Sequence, residues 1–137
     1  MSQLEVPESQ DKYVLPLGKE LKLSDVFHFC YGLTESDIQI LMALLNSNHK
    51  TAQDLEQELQ LSRALVGRSL NKLLSIGLVQ RTKETGNKTG RPRYVYFIPD
   101  PGEFKAKLVK EIEDCTNSIR NIVLLQFSPS ALISIVS

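Results

Sequence analysis

The sequence predicts a mainly α-helical fold completed by one small β-hairpin, with a long helix carried behind it. Three observations predict this. Apolar residues recur at helical spacing in successive stretches from Leu33 to Ile76; the period turns extended after Gly77; and helical spacing returns from Glu103 to Gln126. A chain of 137 residues, 42% of them hydrophobic, can bury one compact core and still carry an appended element.

Residues 1–22 open with a polar stretch around Pro7, Glu8 and Ser9 and read as a loose N-terminal arm. Ser24 is placed to cap a short helix carrying Val26, Phe27, Phe29 and Cys30, which Gly32 ends. Thr34 or Ser36 starts a stronger helix, since Ile38, Leu41, Met42, Leu44 and Leu45 keep helical spacing until Asn46-Ser47-Asn48. Thr51 with Asp54 three residues on is a capping-box start, and the helix behind it closes near Gln60. Only Leu61 and Ser62 separate it from the next. Ser62 is a good N-cap; Leu65, Val66, Leu70, Leu73, Leu74 and Ile76 gather on one side; Gly77 can take the left-handed conformation that stops a helix. Two helices joined by so tight a turn form a helix-turn-helix.

Leu78 and Val79 open a strand through Arg81 and Lys83, a turn-forming loop spans 85–90, and Tyr94-Val95-Tyr96-Phe97-Ile98 is the β-branched and aromatic return strand. The hairpin makes the pattern a winged helix-turn-helix over 23–100. Pro99 and Pro101 end the hairpin, and residues 101–137 form a C-terminal helix and tail.

Charge supplies the first hint of a ligand. Sixteen basic residues balance sixteen acidic ones overall, yet from Ser62 to Arg93 eight cations meet a single acid, Glu84, a net of +7. Positive charge confined to one region marks where phosphates would bind. Within it, the helix of residues 62–76 turns Ala64, Gly67, Arg68, Asn71, Lys72 and Ser75 away from its leucines. Arg donates twice to guanine and Asn pairs with adenine in a major groove, while small residues such as Ala64 and Gly67 let a backbone come close. Arg68 and Asn71 are the expected base readers, Arg63 reaches bases or phosphates, and Ser62 and Lys72 hold phosphates. Lys88, Thr89, Arg91 and Arg93 place cations and a hydroxyl on a thin projection, residues 85–93, suited to a narrow minor groove.

The stretch from Leu33 to Pro99 carries LTESDIQILMALL, TAQDLEQELQLSRALVGRSLNKLLSIGLVQR and GRPRYVYF. It resembles the winged-helix domains of the TrmB and MarR families of prokaryotic, especially archaeal, transcription regulators, over about half of the chain. The helix-to-strand passage LSRALVGRSLNKLLSIGLV and the wing TGRPRYVYF are its most specific parts. The resemblance implies a dimer on a pseudo-palindromic double-stranded DNA operator, with Arg63, Arg68, Asn71, Lys88 and Arg91 at the DNA. Full-length TrmB proteins carry a sugar-binding domain after the winged helix. Here a helix and a short tail follow, so sugar sensing is not part of the expectation.

Phe104, Leu108, Ile112, Cys115, Ile119 and Ile122 are spaced four, four, three, four and three residues apart, an average near that of a coiled-coil seam. They are the expected homodimer contact, the alternative being a helix folded back on its own domain. Cys30 and Cys115 stand far apart without Cys-x-x-Cys spacing, which suits a reducing cytosol. On the seam, Cys115 is either a redox switch paired with its mate in a second chain or a small buried hydrophobe. His28 and His49 are isolated and no metal or cofactor site emerges; no Gly-rich phosphate loop or catalytic set points to an enzyme. The apolar run 130–136 is too short to span a bilayer. No polar constellation specifies a small-molecule effector. The competing reading is a winged helix used as a protein-interaction module in a larger assembly, since one fold serves both uses. RNA binding would call for exposed aromatic platforms, and Tyr94 and Tyr96 fit better as strand core.

Overall fold

A computed structural model describes residues 14–16, 18–46, 49–84 and 93–127. In order, the elements are α1 (Leu23–Tyr31), α2 (Glu35–Asn46), β1 (Lys50–Thr51), α3 (Ala52–Leu59), α4 (Arg63–Ser75), β2 (Gln80–Lys83), β3 (Tyr94–Phe97) and α5 (Pro101–Gln126). The helix-turn-helix is α3 and α4, and β2 with β3 form the base of the wing.

Local chemistry sets most of the boundaries. Gly32 ends α1 at φ 67°, and Gly77 turns the chain after α4 at φ 80°. The Thr51 hydroxyl accepts from Asp54 N–H at 3.0 Å while the Asp54 carboxylate accepts from Thr51 N–H, closing the capping box of α3. The tight turn is made by Gln60, a non-glycine residue at φ 59°. At the start of α4, Ser62 Oγ accepts from Leu65 N–H at 3.1 Å.

Three boundaries differ from the sequence expectation. The N-cap of α1 is Lys22 rather than Ser24, because the Asp25 carboxylate reaches back to Lys22 N–H at 2.9 Å. Leu78 and Val79 are buried core residues ahead of the strand, which begins at Gln80. Pro101 does not merely end the hairpin but opens α5 at its first position, where its missing N–H costs nothing and Asp100 caps the exposed amides of Gly102 and Glu103.

The hairpin also gains a third strand. Lys50–Thr51 pairs antiparallel with β3, Lys50 opposite Tyr96, giving the order β1-β3-β2. Two residues before a helix carry no periodic signal, so only the fold supplies this pairing. On the other side, β2 runs Gln80 opposite Phe97 through Lys83 opposite Tyr94, and all four of its residues are exposed.

The core joins α2, α3 and α4 to the sheet: Ile40, Leu41 and Leu44 from α2, Leu55 from α3, Val66, Leu70 and Leu73 from α4, with Leu33, Leu78, Ile98 and Tyr96 closing it. Burying each such side chain contributes about 1.5–3 kcal/mol. The histidines serve locally: the His28 ring Nδ1–H donates to the Leu33 carbonyl, and His49 stacks on Phe97 with ring centroids 4.6 Å apart.

Candidate nucleic-acid interface

Helix α4 lies with Val66, Leu70 and Leu73 against the core and Ser62, Arg63, Ala64, Arg68, Asn71 and Ser75 exposed. Gly67 is half-buried, and a Cβ built on it would meet nothing within 4 Å. Its backbone is therefore bare on the outer face. Among the described residues Arg63 and Arg68 take part in no ion pair.

Ser69 and Lys72 are held differently from the rest of that face. Ser69 is buried and donates from its hydroxyl to Asp37 Oδ1 at 2.5 Å. The Lys72 ammonium donates to Asp37 Oδ2 at 2.9 Å and to the Gly32 carbonyl at 2.5 Å. Asp37, only 3% exposed, also accepts from Thr34 N–H at 2.8 Å while its own N–H donates to Thr34 Oγ1. One carboxylate thus closes the capping box of α2 and fastens α4 to it. Burial pushes its pKa up, but the hydrogen bonds from Ser69, Thr34 and Lys72 outweigh that and hold it below the ordinary carboxylate value. The Lys72 ammonium, expected to hold phosphate, faces a carboxylate within the domain, because the fold brings Asp37 beneath it. Thr34 and Asp37 have capping-box spacing, a signal that could have disclosed half of this arrangement in the sequence.

Two open grooves flank the helix. One, of about 450 Å³, runs along α4 past Arg68 and Asn71 to Thr34 and Ser36 at the start of α2. The other, of about 480 Å³, is lined by Arg63 of α4, Gln53 and Glu56 of α3, and Arg93 and Tyr94 of the wing. It brings the first turn of α4 and the root of the wing to one trough, with Gln53 a polar contributor the sequence reading did not single out. At the wing, the Arg81 guanidinium lies over the Tyr94 ring, 4.0 Å from its centroid, and Arg93 reaches Glu84 at 3.4 Å. Both cations remain on the surface. Lys88, Thr89 and Arg91 lie outside the described residues.

The seam of α5 divides into two parts. Phe104 is 7% exposed and belongs to the domain's own core, and Leu108 packs against that core. Ile112 is half-buried, and Cys115 is bonded to Cys30 of α1 in the same chain. Of the expected dimer contacts, Phe104, Leu108 and Cys115 thus meet the chain's own domain, because α5 starts close behind β3 and reaches α1 at Glu111 and Cys115. Beyond them Ile119 and Ile122 are exposed, Ile122 at 60%, with Val123 beside them. The disulfide also replaces both expectations for Cys115: its partner is neither a second chain nor only apolar neighbours. Next to the bridge, Tyr31 O–H donates to Glu111 at 2.6 Å and Lys107 donates to Glu111 at 2.7 Å. Burial, and then the neighbouring carboxylate, raise the Tyr31 pKa, whereas hydrogen bonds from Lys107 and then Tyr31 lower that of Glu111.

A helix-turn-helix followed by a small basic wing defines the class of winged-helix transcription regulators. Residues 27–102 match the model of the family described as "Sugar-specific transcriptional regulator TrmB", and the chain belongs to that family. An uncharacterized protein of Methanocaldococcus jannaschii is 27% identical over 93 residues, which is 68% of this chain and 70% of that protein. Among solved structures, a possible transcriptional regulator from Methanosarcina mazei has the same fold at a TM-score of 0.71 and 21% identity, over 88% of this chain and all of that one. A protein of the thermoacidophilic archaeon Sulfolobus tokodaii superposes with a TM-score of 0.63 at 26% identity, over 73% of this chain and 93% of its own. A structure of MarR shares the fold at a TM-score of 0.50 and 16% identity, over 81% of this chain and 79% of its own. The family is one of regulators rather than enzymes. Among the described residues no helix is long and apolar enough to cross a membrane.

Proposed function

We propose that the chain is a cytoplasmic, sequence-specific regulator that binds double-stranded DNA as a homodimer, with α4 in the major groove and the wing, residues 85–93, in the adjacent minor groove. The observation that carries this reading is the outward face of α4. It offers Arg63, Arg68 and Asn71 without an ion pair among the described residues, beside small residues that allow close approach, and it opens into a trough shared with Arg93 of the wing. An α-helix with such a face fits a major groove, and Arg and Asn are the side chains that read guanine and adenine there. The exposed apolar residues Ile119, Ile122 and Val123 at the far end of α5 supply the dimer contact. Two such domains would present recognition helices about 34 Å apart, one turn of duplex.

Selection of bound duplexes from a random pool tests this, followed by salt titration on the winner. The expected result is a consensus of two half-sites. Roughly 6 to 10 phosphate contacts from the two chains should lower affinity by about 10³ to 10⁵ between about 50 and 200 mM salt. Arg68→Ala should cost about 1–3 kcal/mol and relax specificity at one position of each half-site. Unchanged duplex binding and salt slope in Arg68→Ala and Arg63→Ala would defeat the DNA reading in favour of a protein-interaction module.

A further inference from the structure

Cys30 lies in the last turn of α1 and Cys115 in the middle of α5, 85 residues apart in sequence, yet their Cα atoms are 5.9 Å apart and their sulfurs are joined. Neither cysteine belongs to the buried core, and both residues are half-buried. Beyond Cys115 every described residue of α5 is exposed. Among the described residues the bridge joins α5 to α1 just before the helix becomes exposed on all sides. One turn back along α5, Glu111 receives Tyr31 and Lys107, and the Lys107 ammonium lies 3.7 Å from where a Cβ on Gly77 would stand, at the turn that ends α4. The α1–α5 junction thus reaches the foot of the recognition helix. It also keeps a second tie when the sulfurs part.

We propose that Cys30 and Cys115 are a redox-active dithiol, oxidised to the intrachain disulfide by hydroperoxides and reopened by small dithiols, and that its state sets the angle at which the outer half of α5 leaves the domain. This rests on the reading of the protein as a DNA-binding dimer joined through that outer half. In the oxidation, one thiolate attacks an oxygen of ROOH; the O–O bond breaks, RO⁻ leaves and takes up a proton as ROH, and the sulfur becomes a sulfenic acid. The second thiolate attacks that sulfur; the S–O bond breaks, the S–S bond forms, and hydroxide leaves and is protonated to water. Two thiols and one hydroperoxide yield one disulfide, one ROH and one water. Two electrons pass from sulfur to oxygen. In the reverse direction the small dithiol becomes the disulfide and the protein regains two thiols.

The lever is long enough to matter. From Cys115 to Gln126 a helix extends about 16 Å, so a change of roughly 15° at Cys115 carries its end about 4 Å. The two recognition helices must match a spacing of about 34 Å on the duplex, and a shift of that size in each chain takes them out of register. Half-buried cysteines outside the core, on a seam with another tie, are placed to open and close without unfolding it.

The test uses the full chain and a duplex selected from a random pool by the dithiothreitol-reduced protein. Hydrogen peroxide should form the Cys30–Cys115 bridge, read by mass spectrometry of the digested chain, and dithiothreitol should open it. Duplex affinity should change at least tenfold between the two states and return on reduction. Cys30→Ser should bind with one affinity regardless of peroxide; the wild-type comparison stands even where that variant folds poorly. Bridge formation with less than a tenfold change in affinity overturns the regulatory proposal and leaves the DNA reading intact. A bridge that dithiothreitol cannot open in the folded chain, or peroxide that joins two chains instead, overturns the dithiol itself. Should no duplex be selected by either state, the DNA reading fails and takes the regulatory half of the proposal with it.

Discussion

Replacing Asp37 with alanine measures how firmly α4 is fastened to α2. The carboxylate accepts from Thr34 N–H at 2.8 Å, Ser69 O–H at 2.5 Å and the Lys72 ammonium at 2.9 Å while only 3% exposed. Its removal undoes the capping box of α2, worth about 1 kcal/mol. It leaves the buried Ser69 hydroxyl with only a long contact to Ser36 at 3.5 Å, a loss of about 1–2 kcal/mol. The Lys72 side chain is 35% exposed, so its share is screened and adds about 0.5 kcal/mol at most. The total is about 3 kcal/mol, a large part of the ~5–15 kcal/mol that holds a domain of this kind together. With a urea slope of about 2 kcal/mol/M the unfolding midpoint should fall by about 1.5 M, read by circular dichroism at neutral pH. Folding lowers the Asp37 pKa, so its contribution is fully present above the unfolded carboxylate value of about 4 and vanishes as pH falls through the folded value. Asp37→Asn should accordingly flatten the acid limb of the wild-type stability curve below about pH 4. A loss under about 1 kcal/mol in Asp37→Ala, with the acid limb unchanged in Asp37→Asn, would refute the network and leave apolar packing as the fastening of α4.

Reduction of the Cys30–Cys115 bridge releases a closed loop spanning 85 residues of sequence, and the chain-entropy estimate for such a loop is about 4–5 kcal/mol. Calorimetry with and without dithiothreitol should show Tm falling by roughly 10–15 °C while the reduced chain stays folded at 25 °C. Lys72→Met should leave the salt slope of duplex binding unchanged, because the ammonium already faces Asp37; a slope reduced by about one would restore Lys72 as a phosphate contact. Phe104→Ala and Ile122→Glu should separate the two parts of α5. The first empties a core position and should cost about 3–5 kcal/mol of domain stability. The second should turn dimer into monomer in sedimentation with little change in unfolding, and a dimer that survives it would move the contact elsewhere.

The elements themselves were legible in the sequence because the interactions that start and stop them span a few residues. Thr51 with Asp54, Ser62 with Leu65, and the left-handed turns at Gly32 and Gly77 are short-range hydrogen bonds and backbone preferences, readable from neighbours alone. The outward face of α4 followed from helical geometry once its leucines were assigned inward, and Arg63, Arg68 and Asn71 do lie exposed. What the tertiary structure decided was every pairing across a long stretch of chain: Ser69 and Lys72 with Asp37, Lys50–Thr51 beside β3, Tyr31 with Glu111, and Cys30 with Cys115. It also decided that the apolar stripe of α5 is two surfaces, Phe104 and Leu108 turned to their own core and Ile119 and Ile122 left outside. Periodicity reports which residues share a face of a helix. It is silent on what that face meets, because the partner is chosen by the packing of segments that the sequence places dozens of residues away.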